Sequence, residues 1–339
     1  MMNNNYNNGA ANNNSNNNGG MMIMMNGTIK TVDLFADVVK AGLEEAHPEC
    51  SVMVHKVTKN NNLVLTGISI RSREVNLAPT IYMDGYYNDY KNGRPVMEII
   101  AEVERAYDTY KVEQDFDVNS ITDFNHVQDK ICYKLVNRDK NKELLSDAPY
   151  LPFHDLAVIF YVVVSEDRVG TGTVTVHNHL MEMWGNPDIK ELYRIAKNNT
   201  QKRYKGRVSN MMEIMGEIIS HSADNVDPDV VDAFFEMDSV YEDNMMPMFV
   251  ATNNKKVNGA GVILYDGLLR TFAEKIGGDF YILPSSVHEV IFVPANGDMD
   301  ARYLIQMVKE VNATEVSPDE VLSDNVYMYH ADEDRLEMM

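Results

Sequence analysis

The chain has 339 residues, 45% of them hydrophobic and 24% charged, which is enough apolar mass for one large domain or two packed ones. Its 51 acidic against 30 basic residues leave a formal net charge of -21. That charge repels phosphate backbones and anionic membrane surfaces, so direct nucleic-acid binding, which depends on Lys and Arg displacing counterions, is not expected.

An acidic surface can still meet a basic protein partner, although high solubility accounts for the same charge without one. Cys50 and Cys132 are too few for a disulfide framework and lack the spacing of a structural zinc site, which fits a reducing cytoplasm. No basic segment followed by an apolar run marks a secretory signal at the N-terminus. The longest apolar run, Leu156 to Val164, is about half of what a helix needs to cross a bilayer and reads as a buried strand. No membrane association is expected.

Residues 1–27 are mostly Asn with Gly, Ala and Met, a composition that reads as a disordered Asn-rich tail. From Thr28, apolar residues Val32, Phe35, Val38, Val39 and Leu43 recur at helical spacing up to His47-Pro48. Ser51 to Thr58 and Leu63 to Arg71 read as a hairpin around the turn-like Lys59-Asn60-Asn61-Asn62. Pro95 to Tyr110 carries Val96, Ile99, Ile100, Val103 and Tyr107 on one helical face.

Three strand-like runs follow, His126 to Val136, Leu156 to Val164 and Thr171 to Val176, the last two expected to pair antiparallel across Ser165 to Gly170. Asp188 to Asn199, Val208 to Ser220 and Asp227 to Phe235 read as helices, with Asp188 and Asp227 at capping positions. The last hundred residues alternate: strands at Pro247 to Thr252, Ala260 to Tyr265, Phe280 to Leu283 and Val287 to Val293, helices at Leu268 to Ile276 and Met299 to Val311, and a hairpin at Val326 to Leu336.

Hairpins outnumber βαβ units, so the expected class is α+β, with mixed, largely antiparallel sheets and flanking helices. The expected organisation is a tail over residues 1–27, an N-terminal α+β region over 28–150, central strands and a helical layer over 151–245, and a C-terminal α+β region over 246–339. Ile81-Tyr82-Met83-Asp84-Gly85 and Ile263-Leu264-Tyr265-Asp266-Gly267 are similar, but both fit a common way of starting a helix and do not define a repeat.

Chemistry concentrates in two places. His177, His179 and Glu182 could complete a divalent metal site if the strand persists and both histidines share a face. The competing explanation is hydrogen bonding and packing at a strand end beside Trp184. In the run from Leu283 to Ile291, Ser286, His288 and Glu289 are the candidates for nucleophilic catalysis. Neighbours two apart on a strand rarely place a base against a serine, and neither a GxSxG elbow nor an SxxK motif is present. Gly170-Thr171-Gly172-Thr173 and Gly259-Ala260-Gly261 lack phosphate-loop spacing and read as hairpin turns. Met245-Met246-Pro247-Met248 could supply a pliable surface, with core filling the plainer account. No cofactor is expected beyond a divalent metal at the histidines.

Leu180 to Gly185, Val250 to Asn254, Asp279 to Ile291 and Val321 to Tyr327 resemble a family of uncharacterised bacterial proteins, domain-of-unknown-function proteins common in anaerobic gut Firmicutes. Tyr281-Ile282-Leu283-Pro284-Ser285-Ser286-Val287-His288-Glu289-Val290 is also similar to a second uncharacterised family of that phylum. The resemblance covers residue 28 to the end, implies a bacterial cytoplasmic setting, and brings no activity, cofactor or catalytic residue.

The leading expectation is a non-enzymatic binding or regulatory protein acting through an acidic surface on a protein partner. The competing one is a metal-dependent hydrolase using His177, His179 and Glu182, with His288 and Glu289 alongside. A third is a stable accessory domain with an unspecified ligand. Convergence of His177 and His288 in one cleft would favour the hydrolase, and separate placement with separate partners would count against it.

Overall fold

The structure, a computed structural model, describes residues 29–72, 75, 78–111, 117–166, 171–221, 247–284, 286–295 and 300–339. The Asn-rich head, the segment 227–235 expected to be helical, Met245-Met246, Ser285, Met299 and residues 167–170, expected to turn, lie outside them. The chain is α+β, built in two compact units, one from residues 29–58 and 64–111 and the other from residues 59–63 and 117–339.

In the first unit, α1 (Val32–Ala46), β1 (Ser51–Thr58), β2 (Val64–Arg71), β3 (Thr80–Tyr82), α2 (Met83–Lys91) and α3 (Val96–Tyr110) follow one another. Thr31 caps α1 by accepting from the Leu34 amide, which satisfies a donor that the helix end leaves open. The strands pair antiparallel in the order β1-β2-β3. Phe35, Val39 and Leu43 of α1 pack with Ile68 and Ile70 of β2 and with Ile99, Ile100 and Val103 of α3. A Cβ at Gly42 would come within 2.8 Å of Ile100 Cδ1, so glycine lets the two helices approach here. The expected hairpin and both long helices are present nearly as read, and β3 and α2 form where Ile81 to Gly85 reads as a strand running into a helix.

The second unit contains α4 (Asn119–Thr122), α5 (Phe124–Val127), β4 (Ile131–Asn137), α6 (Lys142–Asp147), β5 (Tyr150–Phe153), β6 (Leu156–Glu166), β7 (Thr171–Thr175), α7 (Asn178–Met183), α8 (Ile189–Arg203), β8 (Gly206–Asn210) and α9 (Met211–His221). It continues with β9 (Phe249–Asn253), a 3-10 turn at Gly259–Leu264, α10 (Leu268–Ile276), β10 (Phe280–Leu283), β11 (Val290–Pro294), α11 (Ala301–Thr314), β12 (Tyr327–His330) and β13 (Arg335–Met338). One sheet has β6 at its centre, with β4 along one edge and β5 and β7 sharing the other. The other sheet runs β13-β12-β10-β11-β9-β8, antiparallel throughout.

A single apolar core joins the two sheets, with Tyr133, Leu135, Val158, Phe160 and Val162 meeting Ala251, Phe280, Ile282 and Phe292. The 156–164 run is thus a strand buried on both faces. Among the described residues no helix is long and apolar enough to cross a membrane.

Several expectations need correction. The units divide at residues 116 and 117 and not at 150, because β4 pairs along its length with β6 across that position. No boundary falls at 245 either, since β8 pairs with β9. Residues 126–130 continue a short helical segment that begins where Asp123 accepts the Asn125 amide. Residues 208–210, expected to open a helix, are instead part of strand β8, all five residues of which pair with β9. Ala260 to Tyr265 is mostly 3-10 helix and not a strand, and Gly259-Ala260-Gly261 opens it in place of a hairpin turn.

Candidate functional site

The segments around 250–254, 283–291 and 320–327 converge at one place in the second unit. Pro284 to Glu289 forms a loop between β10 and β11. It is clamped on one side by the chain preceding β12: Val287 N–H donates to Glu320 O at 2.8 Å, Ser323 N–H to Pro284 O at 2.9 Å, and Ser286 bridges Val321. On the other side Thr252 Oγ1 donates to His288 O at 2.7 Å and Ala260 N–H to Val287 O at 3.2 Å. A Cβ at Gly259 would lie 2.1 Å from Thr252 Oγ1 and 2.3 Å from His288 O, so only glycine fits between these strands.

This clamp sets the chemistry of the loop. Ser286 Oγ accepts the backbone N–H of His288 at 3.0 Å. His288 Nδ1 in turn accepts the N–H of Asn258, at 3.3 Å, from a residue in the left-handed region. An accepting Nδ1 leaves the neutral ring's proton on Nε2, which faces Glu320 Oε1 at 3.5 Å. The imidazole is therefore turned to Asn258 and Glu320, and Ser286 meets His288 through the main chain, which is not the geometry of a serine nucleophile and its base. Glu289 is half-buried just ahead of β11.

The histidine cluster is arranged differently from expectation. The strand ends at Thr175, and His177 becomes the residue preceding α7, so His177 and His179 do not share a strand face. The helix forms because Leu180, Met181 and Trp184 bury together, and Trp184 Nε1 donates to Ile121 O at 2.8 Å. His177 Nδ1 lies 3.1 Å from Asp147 Oδ2, too oblique for a hydrogen bond. His179 Nδ1 and Glu182 Oε2 stand 3.8 Å apart, both exposed. Among the described residues His177 and His288 have no partner in common. Among the described residues no group of three or more His, Cys, Asp or Glu is arranged to hold a metal ion.

Sequence reasoning missed the densest polar centre. Asp155, in the turn between β5 and β6, accepts from Tyr327 Oη at 2.5 Å, Ser323 Oγ at 2.6 Å and Asn325 Nδ2 at 2.9 Å. Tyr327 and Ser323 are fully buried. Burial, reinforced by the Asp155 carboxylate, pushes the Tyr327 hydroxyl well above its ordinary range. His154, itself at φ 52, stacks on the Tyr327 ring at 5.2 Å.

Asn312 Nδ2 donates to Ser323 O and Asp324 Oδ1, each at 2.8 Å, and Asn137 Nδ2 to Leu322 O at 2.9 Å. Asn61 Nδ2 donates to Pro318 O and Val321 O. Side-chain amides thus satisfy the carbonyls of the irregular 318–323 segment, which would otherwise be costly to bury.

Two cavities lie elsewhere in this unit, on either side of Tyr265-Asp266-Gly267. One, about 390 Å³, is walled by Gln201, Val208, Leu268, Thr271, Phe272 and Lys275 together with those three residues. The other, about 300 Å³, adds Arg270, Asp334 and Tyr329. A hydrogen bond from Lys197 at 2.5 Å is the main cause holding the Asp266 carboxyl below its usual range.

A model of the DUF5688 family, a family of unknown function, matches residues 32–331. The chain belongs to that family. No curated protein and no solved structure matches it.

Proposed function

We propose that the chain is a non-enzymatic binding or regulatory protein of the cytoplasm, acting through its acidic surface on a basic protein partner. The observation that carries this reading is the commitment of Ser286 and His288, the side chains most suggestive of catalysis, to main-chain hydrogen bonds. Charge supports it. Arg94, Arg194, Arg203, Arg270, Arg302 and Arg335 each have a carboxylate partner. The excess negative charge therefore rests on exposed carboxylates such as Glu143, Glu274, Glu315 and Asp332. A field of that sign steers cationic surfaces inward and weakens with salt. The metal-dependent hydrolase reading has no comparable support, because His177 turns to Asp147 while His179 and Glu182 form an exposed pair.

The test is affinity capture from the native host at two salt concentrations, with wild type beside the variant Glu143→Gln, Glu274→Gln, Glu315→Gln, Asp332→Asn. A defined basic partner held at about 50 mM salt, released near 500 mM and lost in the variant is the expected result. A partner retained equally by both proteins at both salts would overturn the acidic-surface reading.

A further inference from the structure

The larger cavity is built from one face of α10. Leu268, Thr271, Phe272 and Lys275 fall at positions i, i+3, i+4 and i+7, so all four side chains line the same wall. Val208 of the edge strand β8 and Tyr265 complete an apolar floor. Glycine at 206 is what lets that strand lie so close, since a Cβ there would come within 2.9 Å of Leu268 Cδ1 and 3.2 Å of Tyr265 Cδ2. Tyr265 is itself fixed, its hydroxyl donating to Tyr204 O at 2.7 Å.

The polar groups of the cavity are unequal. Asp266 is neutralised by Lys197. The Gln201 amide lies near enough to help hold that carboxyl down, but its enclosed Nε2 makes no well-aligned hydrogen bond. Lys275, exposed in the last turn of α10, has no carboxylate within ion-pair distance among the described residues, whereas Lys197 is held by Asp266 of the cavity wall. Both groups left without a partner are donors, so a complementary ligand must bring acceptor oxygens, and the apolar floor asks for a hydrophobic body. We propose that this cavity binds a small organic oxyanion, an aromatic or branched carboxylate, with its charged end at Lys275 and Gln201 and its apolar body over Val208, Tyr265 and Phe272.

The inference is independent of the acidic-surface reading, since neither partner nor surface charge enters it. Phenylacetate is the probe, titrated into the full chain by calorimetry or ligand-observed NMR, with isosteric phenylacetamide and inorganic phosphate as comparison arms. Saturable phenylacetate binding with a Kd of about a millimolar is expected for a ligand of this size. Lys275→Ala should weaken it at least about fivefold, the loss of one charge-assisted contact. Gln201→Met, which keeps the packing, should weaken it less, and Arg302→Ala on α11 should leave it unchanged. Phenylacetamide and phosphate should both bind more weakly than phenylacetate. Thermal midpoints equal to wild type establish that the variants are folded. Absence of saturation up to about 20 mM, equal affinity in Lys275→Ala, or phosphate binding as tightly as phenylacetate would each overturn the proposal.

Discussion

The backbone nitrogen of His288 lies 3.0 Å from Ser286 Oγ and donates its N–H to it. The contact ties the two residues through the main chain and turns the imidazole toward Asn258 and Glu320. Removing the hydroxyl with Ser286→Ala leaves a part-buried N–H unpaired and should cost about 1 kcal/mol. His288→Ala removes the acceptor of the Asn258 N–H as well as packing and should cost more, about 1–3 kcal/mol. Urea unfolding midpoints at unchanged m-value check both. A variant as stable as wild type would remove the structural role assigned to that residue.

The Asp155 and Tyr327 pair is expected to be the most sensitive polar contact of the second unit. Tyr327→Phe keeps the ring against His154 and deletes one of three donors to the carboxylate, for an expected loss of about 1–2 kcal/mol. Asp155→Ala leaves the buried hydroxyls of Tyr327 and Ser323 without their acceptor and should cost about 3 kcal/mol or more. Denaturant titrations of the two variants give the ordering, and a smaller effect for Asp155→Ala than for Tyr327→Phe would contradict it.

Phe272 joins α10 to the six-stranded sheet. Its ring stands 5.0 Å from Phe249, 4.8 Å from Phe280 and 5.0 Å from Phe292. Phe272→Ala should therefore cost about 3–5 kcal/mol through the cavity it opens. Phe272→Leu should cost less because it refills part of the volume. Thermal or urea unfolding separates the two, and equal losses would show that the site collapses around either residue.

Burial pushes up the hydroxyl pKa of Tyr133, Tyr161, Tyr265 and Tyr327, and that of Tyr107 up to about 12. In the unfolded chain these groups ionise near pH 10. Above that pH the unfolded state releases protons that the folded state keeps, so stability is unaffected below about pH 9 and falls as pH rises through 10 and beyond. Absorbance at 295 nm and circular dichroism recorded across this range should show the buried tyrosines ionising together with loss of structure. Ionisation of all tyrosines near pH 10 with the fold intact would contradict the burial argument.

How much of this was legible in the sequence depended on whether the signal was local. Helix α1, the β1–β2 hairpin, α3 and α10 have strong periodicity over 8 to 15 residues, and that periodicity places each to within a few residues. The segment at 208–210 reads as the start of a helix by itself and becomes a strand only through pairing with β9, some forty residues further on. His177-Asn178-His179 carries no periodicity, and the burial of Leu180, Met181 and Trp184 decides that it turns into helix.

The 284–289 loop could be singled out for its polar residues, but not the clamp that orients them, because Gly259, Thr252 and Glu320 come from distant segments. Asp155 and Tyr327 are 172 residues apart, and nothing near either one announces the contact. An aspartate following a histidine at a strand end reads as a turn residue, which it also is.

We propose that the loop residues brace the fold while exposed carboxylates bind the partner. This is tested most directly by comparing two proteins for affinity to one captured partner, measured by titration at low salt. Ser286→Ala should bind as wild type does, and the variant with Glu143, Glu274, Glu315 and Asp332 neutralised should bind at least about tenfold more weakly, a loss that high salt reproduces in wild type. Loss of affinity in Ser286→Ala, with the neutralised variant binding normally, would place function at the loop and contradict the account.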